Sequence, residues 1–83
     1  MEPKLAVREF LENLLARKGD TQPFSDADSV IASGRLQSID AVEIVVFLEN
    51  RFGVNFADIG FDEEKIDTVE DIVSLIGEVV PRP

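Results

Sequence analysis

Apolar residues recur at helical spacing in three separate stretches of this chain, and glycine or proline closes each one. Val7, Phe10, Leu11, Leu14 and Leu15 mark the first stretch, over residues 3–18. Pro3 suits an opening helical turn, Arg17 and Lys18 suit the negative helix end, and Gly19 can adopt the left-handed conformation that ends a helix. The second stretch runs from Ser38, a favoured N-cap type, to Phe52, with Gly53 as its stop. The third opens on Thr68-Val69-Glu70-Asp71, a capping-box pattern with Asp in the Glu position. Its buried stripe is expected to be Val69, Ile72, Val73, Ile76 and one of Val79 or Val80, with Pro81 ending it. A helix with an apolar stripe must bury it against another element, and 83 residues leave room for one domain, 1–83. The expected fold class is therefore all-α: a small antiparallel four-helix bundle of three long helices and one short one, the latter around residues 62–65.

Two irregular stretches join these helices. Residues 20–36 form a long loop between the first two long helices, rich in Asp, Ser, Gly and Pro. Val30, Ile31 and Ala32 are expected to make one buried turn that pins this loop to the core, and Gly34 then releases the chain. Residues 54–66 form the second irregular stretch, carrying the short helical piece.

Composition removes several functions. Without Cys or His the chain has no zinc site of the usual kind, no thiolate nucleophile, no disulfide and no histidine base. Seventeen acidic against eight basic residues give a net charge of −9, which nucleic-acid phosphates would repel. The longest unbroken apolar run, residues 44–48, is far too short to cross a bilayer. The start, MEPKLAVREFLENLL, lacks the pattern of a signal peptide, so a soluble, cytoplasmic, monomeric domain is expected. Asp26-Ala27-Asp28 could open a calcium loop, but Val30, Ile31 and Gln37 stand where that loop needs a ligand, a glycine and a glutamate. No serine has a histidine or lysine base beside it, and Glu63-Glu64 has no apolar pocket to tune it. Catalysis by the chain itself is not expected, and no metal is.

The helix from Ser38 stands apart because it carries two apolar stripes. Ala41, Ile44, Val45, Leu48 and Phe52 share one arc, the core face, while Ile39, Val42 and Val46 share another, flanked by Glu43, Glu49 and Asn50. Two readings fit: a central helix buried on both sides, or an exposed apolar patch in an acidic surround that docks a partner. Between residues 40 and 71 there are ten acids and two bases, Arg51 and Lys65, so −8 of the −9 lies there. That is either a solvated face or a field that steers a basic partner.

The run Leu36-Gln37-Ser38-Ile39-Asp40-Ala41-Val42-Glu43-Ile44-Val45-Val46-Phe47-Leu48-Glu49, followed by Phe52, resembles the second helix of acyl carrier proteins, where an Asp-Ser-Leu motif opens the helix. Asp28-Ser29-Val30-Ile31-Ala32-Ser33-Gly34 resembles the preceding loop of free-standing carriers, including D-alanyl and amino-acid carriers. Lys65-Ile66-Asp67-Thr68-Val69-Glu70-Asp71-Ile72 resembles their join to the last helix. The resemblance spans essentially the whole chain in order and spacing. It implies that Ser38 is the attachment site of a 4′-phosphopantetheine arm, taken from coenzyme A by a separate phosphopantetheinyl transferase. The arm's thiol would hold acyl or aminoacyl groups as thioesters for fatty-acid, lipid or secondary-metabolite synthesis. It implies too that Ile39, Val42 and Val46 dock partner enzymes, loading ligases or synthases with basic patches, while Asp40, Glu43 and Glu49 form the acidic rim. Phe47, off both arcs, is expected to pack under the loop or to line a groove for cargo.

The chain departs from the family in three places. Gln37 stands where the motif has Asp, Asn50 and Arg51 stand where fatty-acid-synthesis carriers are usually acidic, and the stretch over residues 56–66 is slightly longer. These departures imply a specialised carrier. An acidic helical adaptor that binds a basic protein without a cofactor is the alternative from a different class, and a carrier domain belonging to a modular synthase is a further one.

Overall fold

The computed structural model describes residues 2–79, and its long helices follow the apolar periodicity. The described residues form four α-helices, α1 (Glu2–Arg17), α2 (Ser38–Phe52), α3 (Phe56–Ile59) and α4 (Val69–Val79), with a 3-10 turn, Glu63–Ile66, before α4. The described residues contain no strand. The expected helix end at Val80 and Pro81 lies outside them.

Each long helix presents its stripe to one shared core. From α1, Val7, Leu11, Leu14 and Leu15 are buried, whereas Phe10 lies at the margin. From α2 come Ala41, Ile44 and Leu48, with Val45 and Phe52 packed at the edge. From α4 come Val69, Ile72 and Ile76 as expected, joined by Leu75, which the sequence reading missed, while Val73 is only partly covered. The stripe widens because α4 packs against both α1 and the 3-10 turn, so it buries a broader arc than one neighbour would require. Gly19 (φ +85°) and Gly53 (φ +73°) end α1 and α2 in the left-handed region, where a side chain would be strained.

Two local expectations are corrected. The stretch after α2 holds a four-residue helix, α3, that the sequence reading left irregular; Asn55 caps it by accepting from the Ala57 N–H at 3.0 Å. The short helical piece expected at residues 62–65 is a 3-10 turn one residue later, capped by Asp62, whose carboxylate accepts from the Glu64 N–H.

The long loop is held by polar contacts at three points. At its start, Arg35 forks onto Asp20, with Nε and Nη2 donating at 2.8 and 3.0 Å, and Nη2 also donates to the Gln22 carbonyl at 2.7 Å. In the middle, Arg8 of α1 donates to Asp26 at 2.8 Å and to the Phe24 carbonyl at 2.9 Å, and Lys4 pairs with Asp26 as well. The Arg8 and Arg35 guanidinium groups both lie over the buried Phe24 ring, at 4.6 and 5.7 Å from its centroid. Further on, the Val30 N–H donates to the Asp67 carbonyl at 2.8 Å, and the Ile31 and Ala32 N–H groups donate to the Asp67 carboxylate at 2.7 and 3.0 Å. Val30 is fully buried, as expected of the pinning turn, but Ile31 is half-buried and Ala32 exposed. The pin is one side chain and one carboxylate rather than three apolar residues.

Burial pushes the Asp67 carboxyl up, but the Ser29 hydroxyl and the Ala32, Ile31 and Val30 N–H groups outweigh it and hold the pKa below the usual range. Asp20 is held low by Arg35 and the Gln22 N–H, and Asp26 by Lys4 and Arg8 against some burial. A folded-state pKa below the unfolded value of about 3.9 means these contacts stabilise fully above it and are lost as pH falls through the folded value. Unfolding midpoints in urea should therefore be flat above about pH 5 and fall steeply below about pH 4. Asp67→Ala, which leaves the Ile31 and Ala32 N–H groups without their acceptor, should cost about 2 kcal/mol in the same measurement.

Candidate functional site

Gln37, not Ser38, is the N-cap of α2: its backbone is extended (φ −104°, ψ 173°), and its carbonyl accepts from the Asp40 and Ala41 N–H groups at 2.9 and 3.2 Å. Ser38 is consequently the first residue of the helix, exposed, and its hydroxyl makes no hydrogen bond within the described residues. The capping expected of that hydroxyl is replaced by a capping box between Gln37 and, three residues later, Asp40. Its carboxylate accepts from the Gln37 N–H at 2.9 Å, the reach-back half of a capping box. A Gln-x-x-Asp spacing was the sequence signal for this arrangement, overlooked because serine is the more usual cap.

Asp40 is thereby removed from the acidic rim on which the sequence placed it. It is only 5% exposed, and Lys18 at the end of α1 sits 3.0 Å from its carboxylate. The Gln37 N–H and then Lys18 hold its pKa below the usual carboxylate range. Glu43 stays half exposed and pairs with Arg17 at 3.2 Å. Glu49 is exposed. Of the three expected rim acids, two face solvent and one fixes the helix start.

The second apolar stripe is on the surface. Ile39, Val42 and Val46 are 72%, 57% and 46% exposed, so the reading of α2 as a helix buried on both sides is overturned. The stripe continues into an open groove of about 550 Å³ between α1 and α2, lined by Phe10, Val42, Glu43, Val46, Phe47 and Asn50, with Arg51 at its end. Phe47 resolves its ambiguity here. Its ring stacks on Phe10 at 4.2 Å between centroids, nearly parallel, and meets Phe52 edge-on at 5.9 Å. The sequence pointed to Phe47 but gave no sign that Phe10 leaves the core to form the groove floor with it.

This end of the molecule thus combines an exposed hydroxyl with the start of a fifteen-residue helix. The first N–H groups of a helix have no intrahelical acceptor, and the helix dipole places partial positive charge there, so an anionic ester on the Ser38 oxygen is favoured. A phosphodiester at Ser38 fits these residues. The two aspartates that opened a possible calcium loop are committed elsewhere, Asp26 to Arg8 and Lys4, and Asp28 to the Ser25 N–H at 2.8 Å. Among the described residues no group of three acidic side chains is placed to hold a metal ion, and no helix is long and apolar enough to cross a membrane.

Ser38→Ala should leave the urea midpoint within about 0.5 kcal/mol of the parent, because no cap is lost. Asp40→Ala should cost about 1 to 2 kcal/mol and weaken the first turn of α2, read by circular dichroism and denaturation together. No family model, no curated protein and no solved structure matches this chain.

Proposed function

We propose that the protein is an acyl carrier, a cytoplasmic four-helix bundle whose Ser38 bears a 4′-phosphopantetheine arm and whose α2 surface docks the enzymes that load and use it. The observation that carries this reading is the pairing of an exposed Ser38 at the first position of α2 with an exposed apolar stripe on the same helix. When bound, the arm would supply a thiol that holds acyl groups as thioesters, which a chain without cysteine cannot supply itself. Ser38 provides the oxygen to be esterified, and the α2 start stabilises the phosphate charge on it. Ile39, Val42 and Val46 supply apolar contact, and Glu43 and Glu49 meet basic groups on a phosphopantetheinyl transferase, ligase or synthase.

An acidic adaptor that binds a basic protein through the same stripe, without any cofactor, is the second reading. It is favoured by Gln37, which occupies the place of the family's aspartate and serves here as the helix cap.

Intact mass after incubation with coenzyme A and a broad-specificity phosphopantetheinyl transferase separates the two. A gain of one arm in the parent and none in Ser38→Ala is expected; no gain with several transferases would favour the adaptor. Val46→Asp should weaken transfer to or from a partner enzyme while leaving helicity intact, since the position is open to solvent. A large loss of helicity would instead place Val46 in the core.

A further inference from the structure

We infer that Arg17 is a built-in competitor for the docking surface: it holds Glu43 until a basic partner displaces it. This rests on the docking role proposed for α2. Arg17 and Lys18 are consecutive at the end of α1, and they grip Asp40 and Glu43, three residues apart on one side of α2. The two grips differ in kind. Lys18 meets a carboxylate that is almost wholly covered and that also accepts from the Gln37 N–H, so that pair belongs to the fold. Arg17 and Glu43 meet at 3.2 Å through one guanidinium nitrogen and one carboxylate oxygen, with side chains 61% and 48% exposed. A single-point contact open to water is weak and exchanges readily, unlike a forked one.

The position of this pair gives it a consequence. Glu43 is the one acid among the residues that line the α1–α2 groove, beside Val42 and Val46 of the stripe. A lysine or arginine arriving over the stripe therefore meets a carboxylate that is already engaged. It gains the difference between two ion pairs, not the whole of one. A partner with a loosely placed lysine gains little from that exchange. A partner whose arginine forks onto both oxygens of Glu43 prevails over the single contact with Arg17. Arg17 thus sets a threshold on the charge and geometry of what docks, and raises specificity by weakening the poorer match.

The test measures kcat and KM at low salt for arm transfer from coenzyme A by a phosphopantetheinyl transferase. It compares the parent, Arg17→Gln, Glu43→Gln and the double variant, with urea midpoints confirming that each chain is folded. Lys4→Gln removes an equal charge from a contact with Asp26 on the loop, and so reports the effect of net charge alone. Arg17→Gln should lower KM about two- to threefold beyond Lys4→Gln with kcat unchanged, the scale of an exposed ion pair. Glu43→Gln should raise KM more in the Arg17→Gln background than in the parent, and both differences should fade at about 1 M salt. A KM for Arg17→Gln no lower than that for Lys4→Gln would overturn the inference, as would equal costs of Glu43→Gln in the two backgrounds. The carrier reading would stand in either case. Arm transfer to none of the chains would overturn the carrier reading. The same cycle, read as Kd for a labelled helical peptide of leucine and lysine, would then decide the inference by the same signs.

Discussion

One carboxylate and its own backbone carbonyl hold the two halves of the molecule in register. Asp67 receives the Val30, Ile31 and Ala32 N–H groups from a loop more than thirty residues earlier, immediately before α4 begins. Val30 is thereby seated in the core, and its carbonyl in turn accepts the Leu36 N–H at 2.7 Å. Leu36 is buried too, so the chain leaves the loop at a fixed point just before Gln37 and Ser38. Placement of the α2 start thus depends on a contact made at the other end of the sequence. The pin works because the desolvation cost of a half-buried carboxylate is offset by several donors at once.

A second consequence concerns how the acidity is divided. Asp20, Asp26, Asp40 and Asp67 are spent internally, on Arg35, Arg8, Lys4, Lys18 and backbone donors. The acids left outward include Glu43, which also pairs with Arg17, and Glu49 on α2, with Asp58, Asp62 and Asp71 further along the chain. The large negative charge is therefore two populations, one that shapes the loop and one that sets the field around α2.

The three long helices were legible in the sequence to within a residue or two, because each carries an apolar stripe and a glycine or capping signal at its ends. α3 was not, since four residues with one buried side chain, Phe56, make no periodic pattern; only Asn55 hinted at it. The start of α2 was legible, but the sequence put the cap on Ser38, whereas Gln37 and Asp40 share that work through a spacing rather than a residue preference. Exposure of Ile39, Val42 and Val46 could not be settled from periodicity, which shows that a helix has two stripes but not what stands opposite the second. The Arg35–Asp20 and Arg8–Asp26 pairs join residues 15 and 18 apart through a loop without regular structure, where sequence spacing carries no geometric meaning.

Among the described residues the large side chains buried to below 2% are all leucine, isoleucine or valine. Every phenylalanine sits further out: Phe24 under two arginines, Phe10, Phe47 and Phe52 in a cluster at the α1–α2 margin, and Phe56 against Phe61. Branched aliphatic side chains of similar volume exchange for one another at little cost when their neighbours repack, typically under about 1.5 kcal/mol. An interior of this kind keeps its shape while its spelling drifts. Descendants of a common ancestor could therefore retain the helices, the loop pin and the α2 surface after their cores had ceased to resemble one another letter by letter.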